Sequence, residues 1–322
     1  MTLLEVRGLV QTFSTPRGRV QAVRGVDFTL ATGETLALVG ESGSGKSTTA
    51  RAVARLMEPT SGQVLLDGED LLGADPRRMR ELRKSVQVVF QDPYSSLDPK
   101  RTVRQAITEP LDVYRIGNRA DRVKLVDELV GLVGLDRTKL DQLPGSMSGG
   151  QRQRVAIARA LALNPRLVIC DEAVSALDVS VQAQVLNLLS ELQQRLGIAY
   201  LFITHDLAVV SEIADVVAVM YLGRIVEIGT REAVLGGPQH PYTQALLSAA
   251  PRVGTTGSRV VLGGESPSPL NPPSGCGFRL RCPRAAEVCA RLDPRLEPHG
   301  ATAGISAQRV ACHFPGLLQE TP

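Results

Sequence analysis

The chain has 322 residues, 43% of them hydrophobic and 21% charged, with a net charge of +3. That length allows a large core and two domains, and so small a charge argues against a nucleic-acid partner. No run approaches the ~18 apolar residues of a membrane-crossing helix, and Met1 to Arg7 lacks a basic segment leading into an apolar one. Neither a transmembrane span nor a secretory signal is therefore expected, and a cytoplasmic location follows.

Residues 1–35 alternate in short segments, such as Leu3 to Val6 and Val20 to Val23, broken by Gly8, Pro16, Gly18 and Gly25. They predict an antiparallel edge sheet. Phe13 falls in a loop between such segments. Its ring either stacks on a nucleobase or joins the core, and the residues leave both readings open. Thr35 to Val39 is an apolar run that predicts a buried strand, and Thr48 to Met57 predicts a helix. Between them lies Gly40-Glu41-Ser42-Gly43-Ser44-Gly45-Lys46-Ser47-Thr48, of the form G-x-x-x-x-G-K-S. Strand, Gly-rich loop and helix are the context this phosphate-binding motif needs. Its glycines let successive N–H groups point inward, and that nest at a helix N-terminus binds anionic phosphates. Lys46 is placed to reach the β- and γ-phosphates, and the Ser47 hydroxyl to meet Mg²⁺.

The helix ends near Glu58-Pro59, and Gln63 to Gly68 predicts a strand and turn. Arg77 to Lys84 predicts a basic helix, and Ser85 to Phe90 a strand that delivers Gln91. A glutamine there reaches Mg²⁺ or an attacking water through its carbonyl, or is simply a polar residue ending a strand. Residues 92–147 show helical periodicity over Val103 to Leu111 and Ala120 to Val133, the mark of a helical insertion between strands of the main sheet.

Ser146-Met147-Ser148-Gly149-Gly150-Gln151 precedes a helix expected over Arg152 to Leu163. Ser148 is an N-cap, and the two glycines open the helix start to a close anionic ligand. Arg166 to Glu172 is an apolar strand ending in two adjacent carboxylates. Asp171 is suited to hold Mg²⁺, and Glu172 to act as general base on a water aimed at the γ-phosphate. Ser175 to Asp178 turns and caps a helix over Val179 to Leu196. The buried strand Ala199 to Ile203 then delivers Thr204-His205-Asp206, where His205 either hydrogen-bonds the γ-phosphate or is structural. A hairpin over Asp215 to Ile228 turns at Gly223. Alternating helices and short apolar strands give an α/β fold with a mainly parallel core sheet and its ligand at the strands' C-terminal ends.

After residue 236 the composition shifts, with Pro and Gly dense over Gly263 to Gly277 and an irregular tail over 251–322. Cys276, Cys282, Cys289 and Cys312 are spaced C-x5-C-x6-C-x22-C. In a cytosolic chain such clustering suggests a metal before it suggests disulfides.

In order, GESGSGKST, Gln91 in VFQDP, MSGGQRQR, LVICDE, SALD and ITHD resemble the ATP-binding cassette (ABC) ATPases over residues 1 to about 235. The resemblance implies a P-loop ABC-type domain over 1–236, with an N-terminal antiparallel β subdomain and a helical subdomain over about 92–160, and an extension over 237–322. It assigns Gly40, Glu41, Ser42, Gly43, Ser44, Gly45, Lys46, Ser47 and Thr48 to the Walker A loop, and Asp171 to Walker B. Ser47, Gln91 and Asp171 become the Mg²⁺ set, and Glu172, His205 and Gln91 the catalytic set. Ser148, Gly149, Gly150, Gln151 and Asp178 become the signature and D-loop residues that touch ATP, and Phe13 the adenine-stacking aromatic. Two departures are visible: Met147 stands where leucine is usual, and Ala173 where proline is. Neither removes a chemical group. The family pairs two cassettes head to tail around two ATPs, so one copy does not complete a site alone.

The tail resembles the C-terminal extension of peptide and nickel importer ATPases, in His240 to Leu247, in Gly264-Glu265-Ser266-Pro267-Ser268-Pro269 and in the cysteine set. DEAVSALDVSVQAQVLNLL and SPLNPPSGC resemble the second (F-type) ATPase subunit of dipeptide and oligopeptide systems. The resemblance implies an ATP hydrolase on the cytoplasmic face of the inner membrane. Its partners would be two permeases, a second and different ABC ATPase chain and an extracytoplasmic solute-binding protein, with no nucleic acid. It also implies a [4Fe–4S] cluster on the four cysteines. Zinc and unliganded thiols are the alternatives, and short C-x-x-C pairs typical of zinc are absent. A nickel or glutathione importer, a soluble ABC ATPase outside transport and a regulator without turnover are the competing functions; Glu172 argues against the last.

Overall fold

The structure, a computed structural model, describes residues 1–249, 267–300 and 308–318. The chain folds into two compact units. A loop unit combines Thr2–Leu30, Glu34–Leu72 and Ile203–Pro322, and a helical unit combines Met1, Ala31–Gly33 and Gly73–Phe202.

In the loop unit, β1 (Thr2–Thr15), β2 (Gly18–Ala31), β4 (Ser61–Leu66) and β5 (Glu69–Asp70) form a four-stranded sheet in the order β2-β1-β4-β5. The first two strands are longer than the sequence suggests, because they run through Gly8 and Gly25 instead of stopping there. Both glycines are left-handed, with φ +53° and +78°. The β1–β4 register slips between Arg7 and Val10. Leu4 and Val6 are buried before the slip, Leu9 and Gln11 after it. A glycine bulge thus flips the period-2 pattern without ending the strand.

The unit's other strands surround β3 (Thr35–Val39), which is buried along its length as a strand covered on both faces should be. It pairs in parallel with β9 (Val216–Tyr221). The latter turns at Leu222-Gly223, both at positive φ, into β10 (Arg224–Thr230). Two short strands of the tail, β11 (Glu297–Pro298) and β12 (Arg309–Val310), extend this ladder in the order β11-β12-β10-β9-β3. The tail is therefore less irregular than its composition suggests: its backbone groups are paired by a neighbour far away in sequence. Around the ladder stand α1 (Lys46–Val53), α8 (Leu207–Ile213), α9 (Arg231–Gly236), α10 (Pro241–Ala249) and α11 (Glu287–Arg291). Helix α1 starts two residues earlier than expected and stops at Val53 rather than Met57.

Behind β10 the Glu227 carboxylate is fully buried and accepts the backbone N–H groups of Gln239 (2.7 Å) and His240 (3.0 Å) and the Gln308 amide (2.6 Å). His240 is buried too, and its Nδ1 accepts the Tyr242 N–H at 3.0 Å, which requires the neutral ring. Burial lowers its pKa from 6.5 to about 3. Below the ordinary value the unfolded chain takes up a proton that the folded chain refuses, so this stability is present above 6.5 and lost as pH falls toward 3. Burial raises Glu227, an effect of opposite sign that is present in both proteins of the comparison. On acidification to about pH 5, wild type should lose ~2 kcal/mol more stability than His240→Gln. Denaturant midpoints at both pH values check it, and parallel pH slopes would contradict it.

In the helical unit, β6 (Val86–Val89) runs parallel to β7 (Leu167–Asp171), and β8 (Ala199–Thr204) flanks β7 on its other side. Helix α2 (Pro76–Ser85) is capped by Asp75, whose carboxylate accepts the Arg77 and Arg78 N–H groups. The insertion holds α3 (Pro93–Ser96), α4 (Val103–Tyr114), α5 (Arg119–Leu132) and α6 (Gly149–Leu161). Reciprocal capping boxes, Thr102 with Gln105 and Asn118 with Asp121, start α4 and α5. Helix α7 (Val179–Leu196) closes on a left-handed Gly197.

Candidate functional site

The loop after β3 takes its shape from glycines at Gly40, Gly43 and Gly45, at φ +151°, +77° and +104°. A Cβ on Gly40 would lie 2.2 Å from the Met220 carbonyl oxygen, and one on Gly45 2.2 Å from that of Ala22. Both glycines are thus imposed by close backbone approach as well as by conformation. The Gly223 N–H donates to the Ser44 carbonyl at 2.8 Å, which ties the loop to the β9–β10 turn. Lys46 is 4% exposed, and its Nζ donates to the carbonyls of Gly40 and Glu41 at 2.8 Å each. The loop's one buried ammonium thereby closes the loop on itself. Ser47 and Thr48 lie in the first turn of α1, behind Gly45 as N-cap.

At the end of β7 the Asp171 carboxylate is 5% exposed. Glu172 follows at φ +50°, a left-handed conformation that costs a non-glycine residue about 1 kcal/mol. The Ser175 N–H and hydroxyl both donate to its carbonyl, at 3.1 and 3.0 Å. The turn aims its side chain at Gln91, whose Nε2 donates to Glu172 Oε2 at 2.8 Å. Two residues 81 apart in sequence are thus joined at the ends of adjacent strands.

The helix α6 begins at Gly149, earlier than expected, with both glycines inside its first turn. Ser148 is its N-cap: its hydroxyl accepts the Gln151 N–H, and the Gln151 side chain accepts the Ser148 N–H. A Cβ on Gly150 would meet Val181 Cγ1 at 2.3 Å, so this glycine also admits α7 against the start of α6. Met147 is 3% exposed and Ala173 2% exposed, so the two unusual residues are packing positions. Close by, the Arg152 guanidinium stacks 3.4 Å from the Tyr94 ring centre while its Nε donates to the Pro144 carbonyl. Asp178 caps α7 by accepting the Val181 N–H, and that bond, with the Ser180 hydroxyl, holds its carboxyl below the ordinary range.

His205 is exposed just past β8, before the turn in which the Asp206 N–H donates to the Thr204 hydroxyl. Phe13 lies within β1, not in a loop, and is 36% exposed. Gly40 to Thr48, Phe13 and His205 belong to the loop unit; Gln91, Ser148 to Gln151, Asp171, Glu172 and Asp178 belong to the helical unit.

Two family models match the chain: ABC transporter over residues 23–175, and oligopeptide/dipeptide transporter, C-terminal region, over residues 226–289. A probable peptide ABC transporter ATP-binding protein of Sinorhizobium fredii, y4tS, is 54% identical over 91% of this chain and 82% of its own length. The oligopeptide transport ATP-binding protein AppF of Bacillus subtilis is 47% identical over 97% of both chains. The dipeptide transport ATP-binding protein DppF of Escherichia coli is 50% identical over 92% of this chain and 88% of its own. The chain belongs to the ATP-binding subunits of ABC transporters. Its fold matches the ATP-binding cassette MJ0796 in a dimeric post-hydrolysis state bound to ADP and Pi. The TM-score is 0.65 at 28% identity, over 71% of this chain and 99% of that one. Like that cassette, this ABC subunit is of the ATP-hydrolysing class.

The oxygens expected to meet Mg²⁺ are each hard donors of the kind that ion takes, the Ser47 hydroxyl in the loop unit and the Gln91 amide oxygen and Asp171 carboxylate in the helical unit. The four cysteines give a correction. Among the described residues no group of three or more His, Cys, Asp or Glu is arranged to hold a metal ion, so the expected iron–sulfur site is not supported. Burial pushes the Cys276 thiol up to about 11 and raises Cys282 and Cys312 as well, and each is raised further by its cysteine neighbours. Backbone N–H groups of Phe278, Arg284 and Phe314 pull these three back only in part. Of the tail motif, Gly264 to Ser266 lie outside the described residues. The sequence reading missed Tyr242 and Arg281. Both touch Glu41, and nothing in the sequence pairs residues 201 and 240 positions apart.

Proposed function

We propose that this chain is the ATP-hydrolysing subunit of an importer that takes up di- or oligopeptides through partner permeases. The observation that carries the substrate class is the match of residues 226–289 to the oligopeptide/dipeptide transporter C-terminal region. In this reading residues 1–236 form the cassette and 237–322 the extension. Lys46 leaves the Gly40 and Glu41 carbonyls for the β- and γ-phosphates, and the loop's N–H groups hold the remaining phosphate oxygens. Bound Mg²⁺ would neutralise phosphate charge, with Ser47, Gln91 and Asp171 as its protein oxygens. Glu172 accepts a proton from the water whose oxygen attacks the γ-phosphorus, and the β–γ bridging oxygen departs with ADP. Gln91 orients the Glu172 carboxylate, a role supported by their 2.8 Å hydrogen bond. His205 donates to the γ-phosphate, and Phe13 offers its exposed ring to adenine. Ser148, Gly149, Gly150, Gln151 and Asp178 face the ATP of a second, different ABC subunit.

No helix among the described residues is long and apolar enough to cross a membrane. Attachment to the cytoplasmic face of the inner membrane therefore runs through two permeases, fed by an extracytoplasmic solute-binding protein. A mild-detergent pull-down of the tagged chain from native membranes, with mass spectrometry, tests this. Two permeases, a second ABC subunit and a solute-binding protein are expected. The recovered binding protein is then screened with peptides, nickel and glutathione, and preference for either of the latter two would replace the peptide assignment. A complex with ribosomal or DNA-repair proteins and no permease would overturn the importer.

A further inference from the structure

Glu41, the second residue of the phosphate loop, is held at three points. Its carbonyl accepts Lys46 Nζ, and its N–H donates to the Tyr242 hydroxyl at 2.9 Å. Its carboxylate takes a two-pronged ion pair from Arg281, Nη1 to Oε2 at 2.9 Å and Nη2 to Oε1 at 3.0 Å. The last two partners come from the C-terminal extension. Arg281 does not merely rest on the surface, since its side chain is 9% exposed against 30% for Glu41. The guanidinium carbon lies 5.9 Å from the centre of the Tyr221 ring at the end of β9. Tyr221, Tyr242 and Phe278 pack ring on ring, with centroids 4.6, 5.3 and 5.5 Å apart. Two of these rings belong to the extension, and they form a stiff wall behind the pair. Pro267, Ser268 and Pro269, also of the extension, line a small cavity with Glu41, Ser42, Gly43 and Ser44.

A carboxylate beside a phosphate nest opposes the binding of a polyanion unless a cation cancels it. A partly buried, forked Arg–carboxylate pair does so with fixed geometry and little screening by salt. We propose that Arg281 of the C-terminal extension is a positioning residue for the nucleotide site: it neutralises Glu41 and fixes the loop so that ATP enters a preset nest. The extension thereby sets the affinity of the cassette for nucleotide. This rests on the ATPase reading above.

The test is KM and kcat for ATP hydrolysis, with direct MgATP titration, on the full-length chain in its membrane complex. Arg281→Ala is expected to raise KM and the MgATP dissociation constant about tenfold with kcat nearly unchanged, the signature of lost binding rather than lost chemistry. Adding Glu41→Gln to Arg281→Ala should restore most of the affinity that Arg281→Ala loses, because the uncancelled charge is gone. A purely structural tether would show no such rescue. If Arg281→Ala does not fold, Arg281→Lys carries the test: it keeps the charge but loses the fork, and KM should rise about threefold. Unchanged KM in the Arg281 variants, or a double variant no better than Arg281→Ala, overturns the inference and leaves the ATPase reading intact. A wild-type complex that does not bind MgATP overturns the parent reading itself.

Discussion

Glu172→Gln is expected to lower ATP turnover by on the order of 10²–10⁴-fold while MgATP affinity stays close to wild type. The substitution removes only the proton acceptor. Glutamine has nearly the same shape, its amide oxygen still accepts the Gln91 Nε2 hydrogen bond seen at 2.8 Å, and its backbone meets the same left-handed demand at φ +50°. Folding should therefore be unaffected, and the loss should fall on kcat. Phosphate release by the membrane complex, beside MgATP titration, reads both quantities. Turnover within about threefold of wild type would move the general base to another residue.

Lys46→Ala should weaken MgATP binding and turnover together, by on the order of 10²-fold or more, because a preorganised cation over the phosphates is lost along with its charge. The same change has a structural cost. Lys46 is 4% exposed and makes two 2.8 Å bonds to the loop's own carbonyls. Removing it leaves the Gly40 and Glu41 oxygens without that charged donor, and a charge-assisted bond is worth about 1.5–3 kcal/mol. The nucleotide-free variant should therefore melt earlier than wild type, and MgATP should no longer raise its melting temperature. Nucleotide titration and thermal denaturation with and without MgATP check both halves. A variant still stabilised by MgATP as strongly as wild type would remove Lys46 from the phosphate contacts.

The two substitutions separate binding from chemistry: Lys46 acts from the first residue of α1, and Glu172 from just past the end of β7. Arg281 adds a third kind of effect, in which a residue far along the chain tunes the loop's charge without touching the reacting phosphorus. A selective rise in KM is the mark that distinguishes it from both.

Sequence alone determined whatever is local. Gly40, Gly43 and Gly45 announce a loop with positive φ, because backbone conformation depends on a residue and its immediate neighbours. The apolar runs Thr35–Val39 and Arg166–Glu172 read as strands, and Ser148 and the turn Ser175–Asp178 read as helix caps, for the same reason. Motif order over these elements was enough to indicate the family. Only the tertiary structure decided what depends on distant segments meeting. Gly8 and Gly25 looked like strand ends, yet the pairing of β1 with β4 carries the ladder past Gly8, and β2 runs unbroken through Gly25. The tail looked irregular, yet β12 finds its partner in β10, about 80 residues earlier. Gly150 read as room for a ligand, and its Cβ position also faces Val181 of a neighbouring helix. The four cysteines suggested a metal from spacing, but ligation depends on donors converging in space, and no such group is found among the described residues. The pair of Arg281 with Glu41 spans 240 residues, and only the folded chain brings that guanidinium to the phosphate loop.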